Sequence, residues 1–223
     1  MNNSVFVFDN FTFKKLDNKS CTLVSLINDV ESVEIPQQIK INSIRLTVTS
    51  IEHKAFLDSK VKSVKLPSTI TSIGDRAFYN CRCLETINIP LATKSIGKYC
   101  FAFDVKLNNI KIYGVNTISD YCFYSCKNLQ SVKLSKNLIS VGHSSFEMCT
   151  NIKTIYIPNG IKYLGSRSFC SCKSLKKVYL PKSIISIGSL SFDNCEKLNV
   201  MFKPTELKLA LWDVPKTTKI INI

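Results

Sequence analysis

The sequence is poor in residues that break or loosen a fold. Glycine and proline number only 7 each in 223 residues, which argues against a collagen-like or disordered chain. No run of about 18 apolar residues occurs, so the sequence predicts no membrane-spanning helix. The N-terminus lacks a basic segment, and Asp9 soon interrupts its apolar residues. This pattern is not typical of a secretory signal peptide, so we expect the chain to stay inside the cell.

Motifs of catalysis are also missing. We find no P-loop, G-x-S-x-G or H-E-x-x-H segment. The two histidines, His53 and His143, fall at the same position of repeats four units apart. That separation is roughly 20 Å at the spacing of stacked strands, too far for a shared catalytic pair. We therefore expect no enzyme activity, no catalytic residues, no cofactor and no small-molecule substrate.

Basic residues and cysteines are abundant. Lysine and arginine number 30 against 16 acidic residues, and the net charge of +14 favours an acidic partner: a protein, a nucleic acid or an anionic lipid. The 10 cysteines, without a signal peptide, indicate reduced thiols in the cytosol. We predict a cytoplasmic or nuclear location, with the cell surface, reached by non-classical export, as the alternative.

Phenylalanine recurs with a regular period. The steps are 22 or 23 residues, and the positions are Phe56, Phe78, Phe101, Phe123, Phe146, Phe169 and Phe192. An aliphatic residue lies five positions before each Phe, and a small residue lies directly before it. Three positions after Phe the sequence has Cys81, Asp104, Cys126, Cys149, Cys172 and Cys195. Agreement of so many columns over seven units predicts a repeat fold.

Each unit suggests its own local structure. Apolar residues alternate, as at Ile87 and Ile89, and Pro90 follows, which predicts a short strand with one buried face. The I-G-x-x-x-F-x-x-C segment has helix-like spacing and predicts a short helical turn on the opposite wall. One unit cannot bury its apolar face alone, but stacked units can, with the Phe rings in one inner row.

The pattern I-G-x-x-x-F-x-x-C-x-x-L-x-x-I-x-I-P resembles the BspA-like class of leucine-rich repeats, and residues 78–90 are a clear example. The resemblance covers roughly residues 50–203. It implies an α/β solenoid: a right-handed superhelix with a parallel sheet on the concave face, short helical turns on the convex face and a cap at each end. It also implies a role in attachment or protein recognition. The Lys-, Asn- and Ile-rich composition is similar to the versions found in protozoan parasites.

We expect three regions. Residues 1–48 form a β-rich N-terminal cap with a degenerate repeat, residues 49–203 carry about 7 units, and residues 204–223 form a C-terminal cap. An open solenoid end exposes core, so caps are needed. In the last region, residues 205–212 could form a short helix, with Trp212 covering the final unit.

The cysteine column has a structural interpretation. Stacked units would place its members roughly 5 Å apart, as a ladder of small buried side chains with weak hydrogen bonds to the backbone. Asp104 interrupts the ladder, and we predict that it accepts backbone N–H bonds or is locally exposed. The C-x-C pairs that include Cys83 and Cys170 do not have the usual zinc spacing, so we expect no metal. These two cysteines are the best candidates for exposed, oxidisable thiols.

The concave strand face is the candidate binding surface. Two outward columns would form a stripe, basic in the middle and aromatic toward the C-terminal units, because a regular sheet fixes its side chains and lowers the ordering cost of binding. The alternative is a merely solvated sheet face. The predicted binding residues are Lys65, Asn88, Lys111, Lys133, Tyr156, Tyr179, Thr86, Asn109, Thr154 and Lys177.

Three functions remain open. The first is an intracellular binding module whose partner is another protein with an acidic surface. The second is a surface adhesin that binds a host or matrix protein. The third is binding of nucleic acid or another anionic surface, which we rank lower because no RNA- or DNA-reading motif is present.

Overall fold

The computed structural model describes residues 5–210 and 213–223, and in these residues the chain is an all-β solenoid. It contains these strands: β1 (Val5–Phe8), β2 (Phe11–Lys15), β3 (Ser20–Leu26), β4 (Ser32–Glu34), β5 (Gln38–Ile41), β6 (Ile44–Ile51), β7 (Ser63–Lys65), β8 (Ser72–Ile73), β9 (Thr86–Asn88), β10 (Ser95–Ile96), β11 (Asn109–Lys111), β12 (Thr117–Ile118), β13 (Ser131–Lys133), β14 (Ser140–Val141), β15 (Thr154–Tyr156), β16 (Tyr163–Leu164), β17 (Lys177–Tyr179), β18 (Ser186–Ile187), β19 (Val200–Lys203) and β20 (Lys219–Asn222).

The repeats place their strands on two walls. On the first, which we call the strand wall, parallel pairing gives the groups β4–β7–β9, β11–β13 and β15–β17–β19–β20. On the second wall the parallel groups are β3–β6–β8–β10 and β12–β14–β16–β18. At the N-terminus, β1, β2 and β3 pair antiparallel, and so do β5 and β6.

The third wall, which we call the turn wall, corrects the predicted fold class. The amides of Lys54, Phe56 and Asp58 donate to carbonyls of the next unit at 3.1, 2.7 and 3.0 Å. Between them, Leu57 and Ser59 each donate to the carbonyl three residues back, at 3.0 Å. An α-helix would send every amide to the carbonyl four residues back. The predicted helical turns are therefore wrong: the segment is a row of β-turns, and the described chain has no helix.

Backbone conformation explains why a helix cannot form there. In every unit the residues two before and two after the Phe have positive φ, and a left-handed residue interrupts a right-handed helix. The two columns are Lys54, Arg76, Tyr99, Tyr121, Ser144, Arg167 and Leu190, and Asp58, Asn80, Phe103, Ser125, Met148, Ser171 and Asn194. The Ile-to-Phe spacing thus positions two inward side chains along a turn rather than along a helix.

The core is organised around one row of rings. The seven repeat phenylalanines are at most 1% exposed and stack nearly parallel, with centroids 4.8–5.5 Å apart. Each of their amides donates to the residue just before the next Phe, at 2.7–3.0 Å. The last, Phe192, donates to Asp213 at 3.0 Å, so the C-terminal segment supplies the acceptor of a further unit.

Only part of the predicted C-terminal helix lies within the described residues. Residues 205–210 are not helical, and residues 205 and 206 form a turn. Residue 212, and with it the predicted cover by Trp212, lies outside the described residues.

We define a layer as one two-residue strand, its Phe turn and the next strand of the strand wall, and we name each layer after its Phe.

Candidate functional site

The outward side chains of the strand wall, here called the strand face, form two columns. Each short strand turns its central residue inward, as Val64 and Ile87 do, and its two flanking residues outward. Register places Asn109 beside Ser131, and Lys111 beside Lys133. All ten predicted binding residues lie in these columns, and all are exposed except Tyr179 and Thr154, which are half-buried.

The N-terminal part of the strand face is neutralised. Lys65 forms an ion pair with Glu34 at 2.7 Å, and Lys62 pairs with Glu31. Such exposed pairs add little to stability, but they cancel the charge that a partner would meet. Asn88 is occupied as well, because its amide accepts from the Leu66 N–H at 2.9 Å and donates to the Leu66 carbonyl at 3.1 Å. This part of the predicted site is therefore poorly suited to binding an acidic partner.

The central part carries unpaired positive charge. Five exposed lysines on or beside the strand-wall strands β11, β13, β15 and β17 form no ion pair with another described residue. Register pairs Lys111 with Lys133, and the Lys176 amide donates to the Lys153 carbonyl at 2.8 Å, so lysines of adjacent units lie close and their fields add. We call this set the basic patch, and it comprises Lys111, Lys133, Lys153, Lys176 and Lys177.

Aromatic rings continue the same face toward the C-terminus. Tyr156 and Tyr179 stack at 4.5 Å with an interplanar angle of 11°, and Tyr179 and Phe202 stack at 4.5 Å and 5°. These three residues form the aromatic ladder. The first ring is 65% exposed, a large apolar area next to the basic patch. The sequence analysis did not predict Phe202. Its signal was the apolar run that ends at Phe202, which aligns Phe202 with Tyr179 of the preceding strand.

The cysteine column lies inside the solenoid. Each thiol donates to the carbonyl of a Phe in a neighbouring layer at 2.9–3.2 Å, and the donors are Cys81, Cys126, Cys149, Cys172 and Cys195. Burial raises the pKa of all five thiols. They stay protonated at neutral pH and can act as hydrogen-bond donors, but not as thiolate nucleophiles.

The two cysteines predicted to be exposed differ in the structure. Cys83 is half-buried, whereas Cys170 is only 2% exposed, so the expectation of an exposed thiol at Cys170 is wrong. Cys170 directly follows Phe169 on the turn wall, where its Sγ lies 3.7 Å from the Ser171 hydroxyl. Burial also raises its pKa.

Asp104 replaces a cysteine at the second position of the column and is fully buried. Its Oδ1 accepts the Cys81 N–H at 2.8 Å, whereas Oδ2 contacts no hydrogen-bond partner among the described residues. Burial raises the pKa of the Asp104 carboxyl well above its usual value, and the bond from Cys81 opposes this only in part. Of the two predicted outcomes, the structure shows the backbone bond and not the local exposure.

The histidines lie on the turn wall and do not meet. His53 is exposed, whereas His143 is half-buried with its ring 5.0 Å from that of Tyr121. Among residues 5–210 and 213–223 no group of three or more His, Cys, Asp and Glu side chains could hold a metal ion. Nor does this part of the chain contain a helix long and apolar enough to cross a membrane.

The stacked short strands, inner Phe row and thiol ladder define a leucine-rich repeat protein. Residues 36–116 and 94–210 match the family model described as the BspA type leucine rich repeat region, in 6 copies. The chain therefore belongs to the BspA-type leucine-rich repeat family, whose members are generally protein-interaction modules. None of the curated proteins matches the chain in sequence.

Solved structures share the fold at low sequence identity. A leucine-rich repeat protein from Treponema pallidum is 21% identical over 93% of this chain and 89% of its own, with a TM-score of 0.59. A leucine rich cell surface protein from Faecalibacterium prausnitzii is 16% identical over 98% and 94%, with a TM-score of 0.54. A leucine-rich repeat protein from Bacteroides ovatus is 20% identical over 98% of this chain and 99% of its own, with a TM-score of 0.50. These similarities establish the fold alone.

Proposed function

We propose that the chain is a protein-interaction module that binds an acidic surface of a partner protein through the basic patch and the aromatic ladder. The observation that carries this proposal is their juxtaposition on one regular face. Unpaired lysines supply complementary charge, and Tyr156 supplies apolar area with a hydroxyl group. The strand backbone already fixes these side chains, which lowers the entropy cost of binding. Lys65 and Asn88, which have partners within the chain, contribute less.

Charge reversal tests the basic patch. We expect Lys111→Glu with Lys133→Glu to abolish capture of the partner from native lysate, followed by quantitative mass spectrometry. Lys94→Glu with Lys162→Glu is the matched control, because it makes the same change in net charge at exposed lysines away from the strand face. Equal capture by both double variants would show that the strand face is not the site.

A surface adhesin is the second candidate function. It is favoured by the similarity to the Faecalibacterium protein, which is described as a cell surface protein. We place the chain in the cytoplasm or nucleus instead, because its thiols are free and most are buried hydrogen-bond donors. Labelling of intact cells with a membrane-impermeant reagent distinguishes the two locations, since only a surface protein would be labelled.

Nucleic acid fits the aromatic ladder less well. Its central ring, Tyr179, is stacked between Tyr156 and Phe202 at 4.5 Å, so no base can stack on either face of Tyr179. Proteins that bind single strands offer open ring faces on which bases stack. Binding of oligonucleotides with a steep dependence on salt would reverse this ranking.

A further inference from the structure

A second group of exposed aromatic residues lies on the turn wall rather than on the strand face. One row contains Tyr99 and Tyr121, and the other contains Tyr79, Phe103 and Tyr124. All five side chains are half-buried and therefore partly open to solvent. Between the rows is a shallow groove of about 450 Å³, which continues along the solenoid to His143, Glu147 and Arg167. We call it the turn-wall groove.

The backbone beneath the groove is unusual for such residues. Tyr99, Tyr121 and Phe103 have φ of 56°, 57° and 68°, a conformation that bulky side chains rarely adopt. At the position of Phe103 the other layers have mostly small polar residues, such as Asn80 and Ser125, whereas the position of Tyr99 and Tyr121 is also occupied by Arg76, Arg167 and Leu190. The three rings add nothing to the inner Phe row. At Phe103, where most layers have Asn, Asp or Ser, strain kept at a surface without a gain in core packing points to a function.

Ring packing in the groove limits what it can bind. Tyr99 is covered on one face by the Arg76 guanidinium, 5.1 Å from its centroid, and on the other by Tyr121 at 4.5 Å and 3°. The rings of the second row meet edge to face at 5.4 and 5.3 Å. A sugar ring or an organic cation would need an open aromatic face. The groove instead presents ring edges and tyrosine hydroxyl groups.

Several polar groups of the groove can donate hydrogen bonds. Four tyrosine hydroxyl groups can donate, and the guanidinium groups of Arg76 and Arg167 lie toward its two ends. Burial disfavours ionised Glu147, yet hydrogen bonds from Arg167 lower the pKa of this carboxyl, so it stays charged and engages that guanidinium at 2.8 Å. The backbone amides of Tyr99 and Phe103 already donate to the next layer at 3.2 and 2.8 Å. A ligand here cannot extend a sheet and should itself be apolar and rich in acceptors.

We propose that the turn-wall groove binds an extended proline-rich peptide flanked by acidic residues. Proline has no N–H group, and the carbonyls of a polyproline II helix are free to accept from tyrosine hydroxyl groups. Aromatic-lined grooves are a recurring partner of such peptides. The groove spans four layer spacings, roughly 20 Å, which matches about six or seven residues at the polyproline rise. One acidic flank would contact Arg76, and the other would contact Nη1 of Arg167, since Nε and Nη2 of Arg167 already donate to Glu147.

A defined peptide tests this inference independently of the strand face. The probe is a fluorescein-labelled peptide of about seven prolines with two glutamates at each end, titrated with the intact chain and followed by fluorescence anisotropy. We expect saturable binding that weakens roughly tenfold or more in the double variant Phe103→Asn with Tyr121→Ser. Both new residues occur at the corresponding positions of other layers. The control Tyr156→Ser removes an exposed ring from the strand face and should leave binding unchanged.

Peptide and stability controls separate binding from folding. Replacing the prolines by glycine and serine, or the glutamates by lysine, should abolish binding to the unaltered chain. The double variant should unfold at an equal or higher urea concentration, because its backbone strain is relieved. Absence of saturable binding, equal binding of the glycine–serine peptide, or displacement by oligosaccharides would overturn the proposal. So would a double variant that loses stability and peptide binding in the same proportion.

Discussion

At the scale of single residues, Asp104 makes stability depend on pH. Burial raises the folded-state pKa of the Asp104 carboxyl above its ordinary value of 3.8. At a pH between these two pKa values, the folded chain therefore binds the proton more tightly than the unfolded chain. The stability that this proton provides is fully present below about pH 3.8 and is lost as pH rises through the folded-state pKa. At neutral pH the residue therefore costs stability.

Asp104→Asn tests this linkage. The amide keeps an acceptor for the Cys81 N–H and has no charge to bury. We expect a gain of about 1–3 kcal/mol in unfolding free energy at pH 7 that shrinks toward zero near pH 4. Urea unfolding followed by circular dichroism from pH 4 to 8 measures it. Asp193→Asn, at a half-buried carboxyl of the turn wall, is the control. A gain that is the same at every pH would contradict the assignment.

At the scale of elements, the position two residues after each Phe favours residues that tolerate positive φ. Met148 has φ of 61° in a column where other layers have Asn80 and Ser125. We expect Met148→Asn to stabilise the chain by about 0.5–1 kcal/mol and Met148→Val to destabilise it by more. Thermal unfolding of the two variants measures both shifts. If valine were tolerated as well as asparagine, backbone conformation would not limit this wall.

The period of the repeat and the direction of stacking follow from sequence alone. Both depend on which side chains are buried, and burial leaves a periodic trace in residue type. The path of the turn segment does not follow from sequence in the same way. A helix and a row of β-turns can both place the side chains of Ile51 and Phe56 in the core. They differ in which carbonyl accepts the hydrogen bond from the Phe56 amide. That amide finds its acceptor at Ala77, in another unit, so the unit considered alone is misleading.

The candidate site was predictable to a similar degree. Alternation in a strand gives the outward columns, and register then brings Lys111 beside Lys133. The ion pair that neutralises Lys65 comes from Glu34, which register places beside Lys65 although its strand belongs to a degenerate repeat. The turn-wall groove was missed because its rings occupy different positions within their units. They form two rows only once the layers are stacked.

At the scale of the whole molecule, layer 101 is less well connected than layer 169. In the described chain β10 pairs only with β8 and β11 only with β13, so each wall of layer 101 lacks one neighbour. In layer 169, β16 and β17 each pair with strands on both sides. Stability of a solenoid is approximately the sum of unit and interface contributions. A weak interface should therefore set where the chain separates into independent unfolding units.

Truncation of a single ring tests this at two matched positions. Phe101 and Phe169 are both fully buried between two other rings, so each Phe→Ala change should cost about 3–5 kcal/mol. We expect Phe101→Ala to split urea unfolding into two transitions, whereas Phe169→Ala should keep a single transition at lower urea. Circular dichroism and hydrogen exchange report the two outcomes. Identical curves for the two variants would argue against a weak junction at layer 101.

Each Phe amide in the row has the same donor geometry, and the residue before each following Phe offers the same acceptor, down to Asp213. Any layer can therefore join any other through the turn wall. A gene rearrangement that duplicates or deletes one unit would preserve these joints and change the length of the rod by roughly 5 Å. Such events would change the distance between the aromatic ladder and the turn-wall groove and would leave the packing of the interior unchanged.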